Sequence, residues 1–132
     1  MSAKSDYLET EILDHILGKG ARDFTSPANL YVALSTANPT DTGSGLAEPS
    51  GNGYTRQSVA FGAASGGATS NTAQLTFGPC TTTTWGTITH FAIFDASSAG
   101  NMLYYGALTA SKTIDVGDSL VVAVGDLDIA ET

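Results

Sequence analysis

Four short stretches carry the residue types from which active sites are built. Asp41-Thr42-Gly43-Ser44 spells the aspartic-protease signature. That chemistry needs two such aspartates sharing one proton, each buried by an apolar strand before it. Here Asn38-Pro39-Thr40 precede the motif and the chain holds no second copy, so only a homodimer could complete a dyad. An Asp and a Gly at turn positions are the simpler reading. Gly117-Asp118-Ser119-Leu120 spells the serine motif of the GDSL hydrolases. That family places its serine early and an Asp-x-x-His late. Ser119 lies 13 residues from the end, and no histidine follows it. The base would have to come from His15 or His90, and a Gly-Asp turn ahead of a Val-rich strand explains the same letters. A hydrolase using Ser119 or Asp41 is therefore a remote alternative.

The two histidines have no ligand spacing with Asp14 or Asp95 that a metal site would use, and His90 reads as a structural residue inside a strand. Asp126 and Asp128 share one strand face, without the oxygen count and glycine-containing loop of a calcium site. The glycines at 43, 45, 51 and 53 lack the Gly-Lys-Ser/Thr of a phosphate loop. Cys80 follows Gly78-Pro79 with no basic neighbour that would activate a thiolate. The residues thus predict no catalytic, cofactor-binding or metal site and no cofactor.

The elements that position these residues follow from composition. The chain of 132 residues has 5 Lys and Arg against 13 Asp and Glu, a formal charge of −8. Its few cations are scattered, which excludes a phosphate-tracking surface for nucleic acid. No run of roughly 20 apolar residues exists to span a membrane, and the first residues lack the pattern of a secretory signal. One cysteine excludes an internal disulfide, consistent with synthesis in a reducing cytoplasm. Charged residues are only 14 %, and the polarity has moved into 15 glycines and 31 Ser and Thr. That composition suits a tightly turned β-protein.

Leu8, Ile12, Leu13, Ile16 and Leu17 form a helical stripe, predicting one helix over about 5–17. Ser5 or Asp6 serves as its N-cap, with a capping-box spacing from Asp6 to Glu9. Gly18 and Gly20 end it, and Lys19 and Arg22 follow at its negative end. After Pro27 the period changes to two. Leu30, Val32 and Leu34 alternate with Tyr31, Ala33 and Ser35 as a half-buried strand. Further strands are predicted at 54–61, 72–77, 86–95, 102–109 and 119–129, with a short one near 112–116. Gly- and Pro-rich breakers separate them. The expected fold is mainly β: an antiparallel β-sandwich, jelly-roll-like, with one N-terminal α-helix. Residues 1–132 form a single domain, the sandwich spanning about 29–130.

Two features point outward. Between Gln57 and Phe94 there is not one charged residue in 38, although the stretch holds Phe61, Phe77, Trp85, Ile88, Phe91, Ile93 and Phe94. Interface cores are depleted in charge and rich in aromatics, so this block is expected to serve both core and subunit contact. Residues 37–53 are polar and rich in Gly and Pro, too long for a plain connection, with Leu46 as an apolar anchor. The expected interface residues are Leu8, Ile12, Ile16, Leu46, Trp85 and Phe91.

Several segments, in order over nearly the whole chain, resemble a family of small tailed-phage virion proteins. They include Ser5-Asp6-Tyr7-Leu8-Glu9, Leu30-Tyr31-Val32-Ala33-Leu34-Ser35-Thr36, Glu48-Pro49 with Gly53-Tyr54-Thr55-Arg56, and Gly100-Asn101-Met102-Leu103-Tyr104-Tyr105-Gly106. The most specific is Trp85-Gly86-Thr87-Ile88-Thr89-His90-Phe91-Ala92-Ile93-Phe94-Asp95. Such proteins are often labelled tail-fibre proteins and are similar to capsid cement proteins. The resemblance implies a non-enzymatic structural role in the virion with no catalytic residues to carry over. The expectation is a capsid decoration (cement) protein on the outer head, bridging major capsid protein subunits as a homotrimer. The alternative is a small tail, baseplate or tail-fibre component.

Overall fold

Strand β1 (Ser2–Lys4) leads straight into helix α1 (Asp6–Leu17). Ser5 switches between them: its φ of −79° and ψ of 160° are extended, and its hydroxyl accepts the Leu8 N–H at 3.2 Å. The cap is thus Ser5, and Leu8 rather than an acid occupies the third helical position, so the Asp6–Glu9 spacing makes no capping box. Both acids still lie in the first turn, at the positive end of the helix. Gly18 stops the helix at φ 70°, its N–H bonded to the Asp14 carbonyl at 3.0 Å. The computed structural model describes residues 2–18 and 25–131; Gly20, Lys19 and Arg22 lie outside the described residues.

The remaining elements are strands β2 (Leu30–Ser35), β3 (Gln57–Val59), β4 (Ala68–Ser70), β5 (Leu75–Phe77), β6 (Gly86–Phe94), β7 (Met102–Ile114), β8 (Leu120–Val122) and β9 (Asp128–Ala130). A five-stranded sheet runs β1-β7-β6-β2-β3, and two ribbons pair β4 with β9 and β5 with β8. Every pairing is antiparallel. The mainly-β fold with one N-terminal helix is therefore the observed one, and its second layer is split into two ribbons.

The side-chain period of two gives the central strands two buried faces. On the first face Val32, Leu34, Phe91 and Ile93 pack against Leu75 and Phe77 of β5, Leu120 of β8 and Ile129 of β9. On the second face Ala33, Ala92, Phe94 and Met102 form a smaller cluster, closed by Leu46 and Tyr105. Leu46 belongs to the 37–53 segment, which is therefore a lid on the sheet's own second face. Backbone bonds hold it there: Asp6 N–H to Asp41 O and Thr36 N–H to Ala47 O, each at 3.0 Å, while Gly45 N–H to Pro39 O at 2.9 Å closes the segment on itself.

The predicted strands at 102–109 and 112–116 are one strand, β7. His90 pairs with Ala107 and Ile88 with Lys112, so residues 108–111 bulge opposite Thr89 alone. The predicted strand 119–129 is two, β8 and β9, broken by a turn at Gly125 with φ 82°. Buried Asn71 holds that turn. Its Oδ1 accepts the Leu127 N–H at 2.9 Å, and its Nδ2 donates to the Ala73 and Ala123 carbonyls at 2.8 and 3.0 Å.

The two ends of the chain are tied together. Ser2 Oγ accepts the Ala130 N–H at 3.2 Å, and Glu131 takes bonds from both Lys4 and the Tyr104 hydroxyl. Burial pulls the Glu131 carboxyl up, but the bonds from Lys4 and Tyr104 outweigh it and hold it below the usual value near 4.5. A depressed folded value contributes stability above the unfolded value and loses it as pH falls through the folded one. The melting-temperature gap between the protein and Glu131→Gln should therefore be open at pH 6 and narrow as pH falls below the ordinary value near 4.5. Calorimetry checks this, and a gap that widens in acid would contradict it.

Candidate functional site

The residues with catalytic potential are dispersed into turns and strands. Asp41 sits in the lid, its carboxylate accepting the Tyr105 hydroxyl. That bond, then burial and the nearby Asp41, Asp6 and Glu9 charges, pushes the Tyr105 phenol up to about 12. Thr42 donates to Ser44 at 2.9 Å, and Gly43, at φ 77°, turns against Met102. Asp41-Thr42-Gly43-Ser44 is thus a turn whose carboxylate fastens lid to sheet.

Asp118 closes a second turn, its Oδ2 accepting the Asp115 N–H at 3.1 Å, and Ser119 follows it directly before β8. His90 Nδ1 shares a hydrogen bond with its neighbour Thr89 at 2.8 Å inside β6, while His15 is exposed on α1. Cys80 is buried, its thiol donating to Thr83 O at 3.1 Å. Among the described residues no three His, Cys, Asp or Glu side chains cluster as metal ligands.

What the geometry does assemble is a clamp around Glu48, Tyr54, Arg56 and Trp85. Arg56 Nε and Nη2 grip the Glu48 carboxylate, with contacts of 2.9, 3.2 and 2.9 Å, while Nη1 donates to the Ala96 and Ala99 carbonyls at 2.9 Å each. Its guanidinium lies 3.9 Å from the centre of the Phe94 ring. The Tyr54 hydroxyl donates to Glu48 at 2.9 Å and accepts the Leu34 N–H at 3.0 Å. Burial first, then the Glu48 charge, raises the Tyr54 phenol far above its ordinary value, although the Leu34 N–H opposes this. Trp85 packs edge-on to Tyr54 at 5.4 Å and donates its indole N–H to Asn52 O at 2.9 Å. Lid, β2, the 95–101 turn and the core thereby meet at one point. Sequence reasoning missed this clamp. The available signal was that Arg56 is the last charge before the uncharged block and Glu48 an acid in a segment otherwise suited to solvent.

The expected interface residues separate by burial. Leu8, Trp85 and Phe91 lie inside the chain's own core, and Ile12 and Leu46 are half-buried. Ile16 is 71 % exposed, and Leu13 and Leu17 beside it are 57 % and 67 % exposed. Leu8 anchors the helix's first turns, and the apolar stripe continues past that support into solvent.

On the first face a cleft of about 310 Å³ opens between β7 and β8. Val32, Leu34, Phe91, Leu120 and Leu127 line it, and Lys112, Asp126 and Asp128 stand exposed at its edge. Val121, also lining it, is 46 % exposed.

A protein-family model described as Podophage GP4 fiber I protein gp80 matches residues 3–130. No curated protein matches the chain.

Proposed function

Because this chain belongs to the podophage GP4 fiber I protein gp80 family, we propose that it is a non-enzymatic structural subunit of the tail-fibre apparatus. The match across residues 3–130 is the observation that carries the reading, and it implies a place in the virion. The family's description favours the tail alternative over the capsid cement expected from resemblance alone. The subunit works by contact: it assembles with copies of itself and with a neighbouring virion protein. The exposed Leu13-Ile16-Leu17 surface supports this, because contiguous apolar surface on a small domain marks an interaction site.

Separation of heads from tails tests the location. Purified virions are disrupted, the two fractions are resolved on a density gradient, and the protein is detected by antibody. It should travel with tails. Recovery with tail-free heads would return the cement reading and its major capsid protein partner.

A further inference from the structure

We infer that Asn52-Gly53 is a site of spontaneous covalent modification, at which the asparagine passes through a succinimide to isoaspartate and unlatches Trp85 from the lid. Asn52 and Gly53 are the central residues of a turn closed by the Tyr54 N–H on the Gly51 carbonyl at 3.0 Å. Their φ values of 54° and 83° make it a type I′ turn, for which Asn-Gly is a favoured pair. The fold requires the glycine, because a Cβ there would lie 2.3 Å from the Pro79 carbonyl oxygen. The same bare Cα leaves the Gly53 nitrogen unshielded beside the Asn52 side chain. Gly53 is exposed and Asn52 half-buried. Among the described residues, neither the Gly53 N–H nor the Asn52 side-chain amide has a hydrogen-bond partner.

The other four asparagines of the chain lack this combination. Asn38 precedes Pro39, which has no N–H to act as nucleophile. Asn71 is buried with both its side-chain atoms bonded. Asn101 donates its amide to Asp95 at 3.0 Å. Asn29 and Asn101 also precede Leu30 and Met102, whose side chains crowd the following nitrogen and whose backbones are fixed as the first residues of β2 and β7. At Asn52 the side chain must swing onto the Gly53 nitrogen, so reaction waits for this exposed turn to open, a local event of low cost. The Gly53 nitrogen gives its proton to hydroxide and bonds to Asn52 Cγ. The Cγ–Nδ2 bond breaks, and the nitrogen leaves as ammonia with a proton from water, which returns the hydroxide. Water then opens the ring. Cleavage at Cγ gives aspartate; cleavage at the main-chain carbonyl carbon gives isoaspartate, with the chain rerouted through Cβ and Cγ. Nothing is oxidised or reduced.

The consequence follows from what the Asn52 carbonyl holds. It accepts the Thr81 N–H at 2.8 Å and the Trp85 indole N–H at 2.9 Å. In isoaspartate that carbonyl carbon becomes a carboxylate on a side branch, and the main chain gains an atom inside a turn closed for a shorter path. The lid's end thereby loses its fixed bonds to Trp85 and Thr81. A virion makes no replacement protein, so under the proposed function the change accumulates for the life of the particle; the chemistry itself does not depend on that reading.

Prolonged incubation of the full chain at mildly alkaline pH tests this, with products separated by ion exchange. Peptide mass spectrometry and labelling by an isoaspartyl methyltransferase locate the change. It should appear at Asn52 before any other asparagine, with isoaspartate the larger product. Trp85, the chain's single tryptophan, reads the effect. The isoaspartate fraction should show emission shifted to longer wavelength and a lowered melting temperature. Asn52→Asp, read before incubation, carries the new charge on an unaltered main chain and should keep the parent's emission. Asn52→Gly keeps a positive-φ turn and should hold its emission through the same incubation. No reaction at Asn52, earlier reaction at another asparagine, or an isoaspartate fraction with the parent's emission and melting would each overturn the proposal. So would an equal emission shift in Asn52→Asp, which would assign the effect to charge rather than to the rerouted chain.

Discussion

Replacing Arg56 with Ala should lower the unfolding free energy by about 3–5 kcal/mol, the range for breaking a buried ion pair on one side. The arginine side chain is only 6 % exposed and that of Glu48 20 %. The loss comes less from missing attraction than from what stays behind. Glu48 is left at the edge of the core with the Tyr54 hydroxyl as its remaining donor, and the Ala96 and Ala99 carbonyls lose theirs. Phe94 also loses the guanidinium stacked on it. Arg56→Lys should recover little, since a point charge cannot reproduce the planar, many-donor grip. Urea denaturation measures the change. A loss under about 1 kcal/mol would mean that the pair behaves as an ordinary surface bridge.

Trp85→Ala should cost a similar amount, about 3–5 kcal/mol, as expected when a large aromatic is removed from a core. Trp85 is buried, packs edge-on to Tyr54 and donates to Asn52 at the end of the lid. Its loss should loosen the lid together with the core. The decisive comparison is with Ile16→Asp. Trp85→Ala should lower the melting temperature with little direct effect on association, and Ile16→Asp should do the reverse. Should Trp85→Ala leave the melting temperature unchanged and abolish association, Trp85 would be an interface anchor and the packing described above would be wrong.

This contrast shows where the sequence was legible. Helix α1 could be read almost to the residue, because its cap, stripe and terminal glycine are local signals that tertiary packing did not override. The central strands β2 and β6 could be read because their period-two pattern is strong. The three-residue strands β1 and β4 were not foreseen: Ser2-Ala3-Lys4 and Ala68-Thr69-Ser70 have no apolar alternation and exist through pairing with distant β7 and β9. The break between β8 and β9 depends on Asn71, more than 50 residues away in the chain. The uncharged block builds core through Phe77, Trp85, Phe91 and Phe94, and exposed apolar residues stand as well on the last turns of the helix. Composition cannot tell those two fates apart, since both demand missing charge.

The 37–53 segment shows the same limit. Its polarity and length suggest a free attachment loop, yet Leu46, Pro39 and the Glu48–Arg56 pair bind it to the sheet as a lid. Long-range partners decide this, and neither local propensity nor pattern encodes them.

The central claim is that this chain is a structural subunit of the phage tail, and its copy number in the particle tests that most directly. Quantitative mass spectrometry of purified virions, referenced to the major capsid protein, gives the stoichiometry. The account predicts a small number of copies per particle, as a tail-borne assembly requires. Hundreds of copies, in proportion to the capsid lattice, would contradict it.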